Sequence, residues 1–298
     1  MQVSARASQT AEVMALFRAL ESSRPAHERL FQDPLAERFL RRWGRAVVQI
    51  ARFPAAHRRI AGIVDRRWPG ARTSAVARTR LIDDAVSTGV RDGATQVVLL
   101  GAGFDTRAHR LASIDNARTF EVDRAATQQK KRRVVAQWVP RSAARVAYVP
   151  LDFRQEALSH ALGVNGFDSA AQTFVVWEGV TNYLSAESVD STFRDIAASV
   201  GSGSQILFTY VHAGLLDGSV DFAQGAEILR QVSAAGEPWT FGFDPPQLAA
   251  YLSARGMTLV DDISADEYRA RYFGSAANQM TGYSFYRVAR AFIHMPTV

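Results

Sequence analysis

The chain contains no cysteine. Disulfides, thiolate nucleophiles and cysteine-bound metals are therefore excluded outright. Its six histidines are scattered, without an HxxxH pair or an acid cluster at ligand spacing, so no metal site is expected. No stretch approaches the roughly 18 consecutive apolar residues of a membrane span, and the opening "MQVSARASQTAEVMALF" lacks the apolar core of a signal peptide. A cytoplasmic protein with no membrane partner is the expectation. Lysine is nearly missing as well: only Lys130 and Lys131 stand among 35 basic residues. Internal repeats and low-complexity linkers are absent.

What is present is an ordinary globular composition, 47% hydrophobic over 298 residues, enough for one large α/β domain or a domain with a cap. Charge is unevenly placed. Residues 1–80 hold 16 arginines against 6 acids, a net of +10 where the whole chain carries +6. The simplest reading is an arginine-rich solvated helical surface, with an acidic ligand as the functional alternative. The run "QQKKRR" at 128–133 reads in the same way, and Asp83, Asp84, Asp261 and Asp262 read as helix or strand-end charges.

The first 75 residues have helical periodicity. "TAEVMALFRALESS" puts Val13, Leu16, Phe17 and Leu20 on one face, and "DPLAERFLRRW" opens with an Asp-Pro helix start. They form the expected helical cap, 1–75, ahead of a domain over 76–298. A long helix is predicted over "SAVARTRLIDDAVSTGV", ending at "RDGA". Then come seven short apolar runs: "QVVLLG", "RTFEVD", "RVAYVPLD", "TFVVWEG", "QILFTYV", "TLVDDI" and "YSFYRVARAFI". Helix-length connections between the first five imply a parallel sheet covered on both faces, and the closer spacing of the last two implies an antiparallel edge. The segment about 211–243 is too long for a plain connection and is expected to fold over a site.

Ligands of such sheets bind beyond the carboxyl ends of the strands. After the first run, "GAGFDT" supplies Gly101, Ala102 and Gly103 for close backbone approach, with Asp105 or Thr106 to start the next helix. A dinucleotide fingerprint would need a third glycine where Thr106 stands. After the second run, Glu121 and Asp123 lie about 20 residues on, where a carboxylate accepts both ribose hydroxyls. After the third, Asp152 can accept the adenine amine and Phe153 can pack on the ring. Glu178 ends the fourth. Such a set suits a nucleoside without pyrophosphate, and S-adenosylmethionine fits it. Arg78, on the helix before the first strand, is placed to meet the carboxylate of its amino-acid tail.

The stretches "ARTRLIDD", "VVLLGAGFDTRAHRL", "FEVD", "YVPLDF" and "WEGVTNYL", in this order and spacing, resemble the leucine carboxyl methyltransferase family, especially its bacterial S-adenosylmethionine-dependent O-methyltransferase branch. The resemblance covers roughly residues 10–290, including "GEPWTFGFDPPQLAAYLSARG". It implies a class I methyltransferase fold: a Rossmann-like, seven-stranded, mostly parallel sheet with an antiparallel last strand and a helical lid. It implies that Arg78 binds the methionine carboxylate, Gly101 approaches the methionine part, Asp123 rather than Glu121 holds the ribose, Asp152 and Phe153 frame the adenine, and Glu178 meets the ammonium. Arg18 is the candidate for the family's N-terminal cation.

The expected reaction is methyl transfer to a carboxylate or hydroxyl of a small molecule or peptide, leaving S-adenosylhomocysteine. A carboxylate is already ionised at neutral pH and needs no base; for a hydroxyl, His212 and Tyr183 are the candidate bases, while Tyr183 and Asn182 can orient the acceptor. Rival readings are an NAD(P)-dependent oxidoreductase, which Thr106 opposes, and a protein that binds S-adenosylmethionine without catalysis. A nucleic-acid methyltransferase would carry "DPP" after the fourth strand. Here Asp244–Pro246 instead stand where Pro245 opens a helix.

Overall fold

The computed structural model describes residues 3–152 and 157–294. All seven apolar runs form strands: β1 Gln96–Leu100, β2 Arg118–Asp123, β3 Val146–Pro150, β4 Thr173–Trp177, β5 Gln205–Val211, β6 Met257–Ser264 and β7 Tyr286–Ile293. They make one sheet in the order β3-β2-β1-β4-β5-β7-β6. The first five are parallel, while β7 runs antiparallel to both β5 and β6. The last strand is thus antiparallel as expected, but it is not the edge. It inserts between β5 and β6, because its alternating Val288, Ala289, Ala291 and Ile293 are apolar on both faces and need cover on both.

Strands β1, β4 and β5 are buried at every residue. Alternation divides them between two cores. Val98, Leu100, Val175 and Trp177 face one side with Phe193, Phe208 and Phe243. Val97, Leu99, Phe174 and Val176 face the other, under Leu81, Ile82 and Val86.

Four helices precede the sheet: α1 Val3–Ser22, α2 Arg42–Ile50, α3 Pro54–Arg67 and α4 Ala71–Arg91. The predicted Asp-Pro helix is split. Asp33 accepts the Ala36 N–H at 3.0 Å and opens a 3-10 turn, Ala36–Phe39; Leu40 then turns extended, and α2 begins only at Arg42. These helices share a third core, in which Leu16, Phe17, Leu20, Leu35 and Phe39 meet Phe104, from the loop after β1, and Val135. Phe39 stacks on Phe104 with ring centres 4.6 Å apart. The helices α5 Arg107–Arg110 and α6 Ala125–Trp138 follow β1 and β2. Within 211–243 lie the helices Ala213–Asp217 and Gly225–Ala234, and beyond them Glu237 accepts a hydrogen bond from Thr10 of α1 at 2.6 Å. The α1 helix and this insertion therefore touch.

Candidate functional site

Between β1 and β4 the chain departs toward opposite edges of the sheet, and there the carboxyl ends open a crevice. Gly101 lies at φ +63°, and a Cβ on it would stand 2.4 Å from Val180 Cγ2; only glycine fits. Ala102 N–H reaches back to Val122 O at 3.1 Å. Asp123 accepts the Gly103 N–H on one carboxylate oxygen and the Arg124 N–H on the other, both at 2.6 Å. Burial raises its pKa, and these two N–H groups restrain the rise. The loop and the acid thus form one unit, as their separation of 20 residues requires.

Beside it is a dense charge cluster. Arg78, on α4, donates from Nε to Glu178 Oε1 at 2.8 Å and lies over the Tyr286 ring at 4.7 Å. Glu178 Oε2 accepts from Arg107 Nη1, also at 2.8 Å. Arg107 further binds Asp105 at 2.6 Å and Asp83 at 2.8 Å, and Asp83 in turn holds Arg110 through both of its oxygens. Burial works to raise the Glu178 pKa, but Arg107 and Arg78 override it and bring it down to about 2. Asp105 accepts the Arg107 N–H at 2.8 Å, while Thr106, at the helix start, points its hydroxyl to Asp33 at 2.6 Å. Arg18 is spent on the same scaffold: it donates to Asp33 at 2.9 Å and to the Phe104 carbonyl at 2.6 Å, drawing α1 onto the glycine loop.

On the other side of Arg78 stands an aromatic wall of Tyr183, Tyr268, Tyr283 and Tyr286, with Trp239 against Phe285 and Tyr286. Tyr283 holds φ at +62°, a strained setting for a tyrosine. Asn182 is buried, and its Oδ1 and the Trp239 Nε1 lack hydrogen-bond partners among the described residues. Burial pushes the Tyr183 hydroxyl up to about 12. His212 is placed otherwise than the sequence reading supposed. Its Nδ1 accepts the Gly214 N–H at 3.0 Å, capping the helix Ala213–Asp217, so the neutral ring carries its proton on Nε2. A ring with no free lone pair is not a base.

Glu121 does not reach the crevice. Its carboxylate is sealed within the fold against Lys131 at 2.6 Å and His109 at 3.5 Å, which also removes Lys131 from the solvated face assigned to "QQKKRR". Asp83 likewise proves to be a buried clamp rather than a helix-surface charge. Asp152 is half-buried just beyond β3, and Phe153 lies outside the described residues. Arg107 and, apart from Tyr183, the aromatic wall were not singled out from the sequence, and Asp83 was given no part in the site. One signal existed: Arg107 opens a helix, where the dipole disfavours a cation, so acidic partners had to be near.

The family model of leucine carboxyl methyltransferase matches residues 11–197. A Frankia alni protein named for S-adenosyl-L-methionine-dependent methyltransferase activity is 36% identical over 212 residues, covering 70% of each chain. A Streptomyces coelicolor protein of the same designation is 34% identical over 219 residues, covering 73% of this chain and 72% of its own. Among solved structures, a protein named as a methyltransferase from Thermobifida fusca superposes with a TM-score of 0.62 at 16% identity, over 95% of this chain and 94% of that one. An O-methyltransferase family protein from Burkholderia thailandensis gives 0.52 at 16% identity, over 84% and 63%. These two speak to the fold, a class I methyltransferase sheet. With the family model spanning more than half of its length, the chain belongs to the leucine carboxyl methyltransferase family.

Proposed function

We propose that the protein is an S-adenosylmethionine-dependent O-methyltransferase whose acceptor is a carboxylate of a small molecule or peptide. The observation that carries this reading is the Arg78–Glu178 pair at the switch point of the sheet, beside a glycine loop held by Asp123. A guanidinium and a carboxylate side by side complement the carboxylate and ammonium of an amino-acid tail, and Asp123 is free to accept further hydrogen bonds from a ribose. The names of the Frankia and Streptomyces relatives support the same cofactor. When bound, S-adenosylmethionine supplies a methyl group on a sulfonium.

The chain's own residues then have to align and desolvate. Arg78 and Glu178 fix the tail, Gly101 lets the backbone approach, and α1 with the insertion at 211–243 shields the crevice from water. Tyr183, protonated up to about pH 12, donates a hydrogen bond and does not remove a proton. His212 has its Nδ1 committed to the helix cap. With neither serving as base, an acceptor that is already ionised is favoured, which is why the carboxylate is preferred over the hydroxyl.

Calorimetry with S-adenosylhomocysteine tests the cofactor. Binding is expected, and Arg78→Ala or Asp123→Ala should weaken it by about tenfold or more while circular dichroism stays unchanged. No binding by the parent chain, or unchanged affinity in both variants, would refute the assignment. Turnover against a panel of carboxylic acids, phenols and peptides, read by mass spectrometry, tests the acceptor.

A further inference from the structure

The outward faces of α2 and α3 leave large apolar side chains in the open: Trp43 is 62% exposed, Ile50 55%, Phe53 71% and Ile63 58%. On α2, Trp43, Val47 and Ile50 follow the i, i+4, i+7 spacing of one stripe, while Gly44 and Val48 are the residues turned inward. On α3, Ile63 shares its face with Arg59, Arg66 and Arg67, one turn to either side. Phe53 sits at the junction of the two helices.

Arginines surround these side chains. Between residues 41 and 67, Arg41, Arg42, Arg45, Arg52, Arg58, Arg59, Arg66 and Arg67 are all exposed, and Asp65 is the one acid in the interval. That acid is taken by Arg72 in a two-pronged pair at 2.9 and 2.6 Å. Glu12 and Glu37, from neighbouring elements, face Arg41 and Arg52. Among the described residues the side chains of Arg42, Arg58, Arg59 and Arg66 have no hydrogen bond or ion pair. A solvated basic surface needs unpaired arginines, but it has no use for a tryptophan, a phenylalanine and two isoleucines standing out among them.

We propose that this face docks on an anionic lipid surface, with Trp43, Ile50, Phe53 and Ile63 entering the headgroup region and the unpaired arginines meeting lipid phosphates. Two features favour a bilayer over a folded partner. The apolar side chains protrude from the helix faces, Phe53 and Trp43 with most of their surface in the open. A fluid interface accommodates protruding rings without a matching pocket. The surplus positive charge complements phosphate directly. No helix of the described residues is long and apolar enough to cross a membrane, so the contact is peripheral. This inference is independent of the methyl-transfer reading.

The full chain is tested by co-sedimentation with vesicles of phosphatidylcholine alone and with vesicles rich in phosphatidylglycerol. Retention is expected on the anionic vesicles and to fall with salt. Arg58→Glu with Arg59→Glu should weaken it by about tenfold or more, and Trp43→Ser with Phe53→Ser by a comparable factor. All four positions are exposed, so circular dichroism of each variant should match the parent. Failure to bind anionic vesicles at low salt overturns the proposal. So does unchanged retention of the Trp43→Ser, Phe53→Ser variant, which would mean adsorption by charge alone. Tighter binding to soluble poly-glutamate than to vesicles would assign the face to an acidic polypeptide instead.

Discussion

Replacing Glu178 with glutamine should be among the most costly conservative changes in the molecule. The side chain keeps its size and one acceptor oxygen, but Arg78 and Arg107 lose a shared counter-charge. Their side chains are only 8% and 3% exposed, so water cannot compensate. Arg107 retains Asp83 and Asp105, whereas Arg78 keeps no other carboxylate within ion-pair distance among the described residues. The magnitude follows from linkage. A carboxyl held at about 2 rather than its ordinary 4.5 contributes about 3 kcal/mol at about 1.4 kcal/mol per decade. That agrees with the 3–5 kcal/mol generally lost when one partner of a buried pair is removed.

The sign is fixed by the direction of the shift. A folded-state value below the unfolded one means that the stabilisation is complete above about 4.5 and drains away as pH falls toward about 2. Urea unfolding of Glu178→Gln against the parent should therefore show a deficit of about 3 kcal/mol at neutral pH. At pH 3.5 the deficit should have narrowed by about 1.4 kcal/mol, because the unfolded parent has by then taken up the proton. In a thermal scan the neutral-pH deficit corresponds to roughly 5 °C for a chain of this length. S-adenosylhomocysteine should raise the melting temperature of the parent and leave the variant almost unmoved. A deficit below about 1 kcal/mol, or one that does not change with pH, would refute the view that the pair is tightly coupled.

Gly101→Ala should lose about 2 kcal/mol, part from the positive φ and part from the overlap with Val180; Gly101→Ala with Val180→Ala should recover only the second part, and a fully stable single variant would contradict the loop geometry. Lys131→Met should lose about 3 kcal/mol by stranding Glu121, while Glu121→Leu with Lys131→Met should restore most of it, as buried pairs exchanged for apolar residues generally do; denaturant midpoints decide. His212→Ala should lose about 1 kcal/mol of cap energy, and His212→Asn should return it. Turnover should survive both changes, and its loss in His212→Asn would make the imidazole a participant in the chemistry.

The strands were readable because each is an apolar run bounded by turn residues, and residues such as Val97 and Leu99 are buried whichever way the sheet is assembled. Pairing order was not readable. Nothing local in "YSFYRVARAFI" distinguishes an edge strand from one inserted between β5 and β6; that depends on which partner covers its second face. The same divide runs through the site. Gly101, Asp123 and Glu178 announced themselves by standing at strand ends, but the ties of Asp33 to Arg18, Thr106 and Arg110 join positions up to 77 residues apart in space only. Glu121 and Asp123 differ by two positions on one strand, and burial depth alone separates them: one is walled in with Lys131, while the other lies at the strand's open end.

The insertion of β7 also sets a schedule for biosynthesis. Until that strand has left the ribosome, β5 presents a bare hydrogen-bonding edge and β6 has no neighbour, so two of the seven strands wait on the final pairing. Tyr286, the first residue of β7, is the ring beneath Arg78. A nascent chain interrupted before this point would carry a glycine loop, Asp123 and Glu178 already translated, yet would lack the surface on which Arg78 rests. The seat of Arg78 is thereby tied to the pairing of β7 between β5 and β6, and unfinished copies are left with an open edge that chaperones and proteases can recognise.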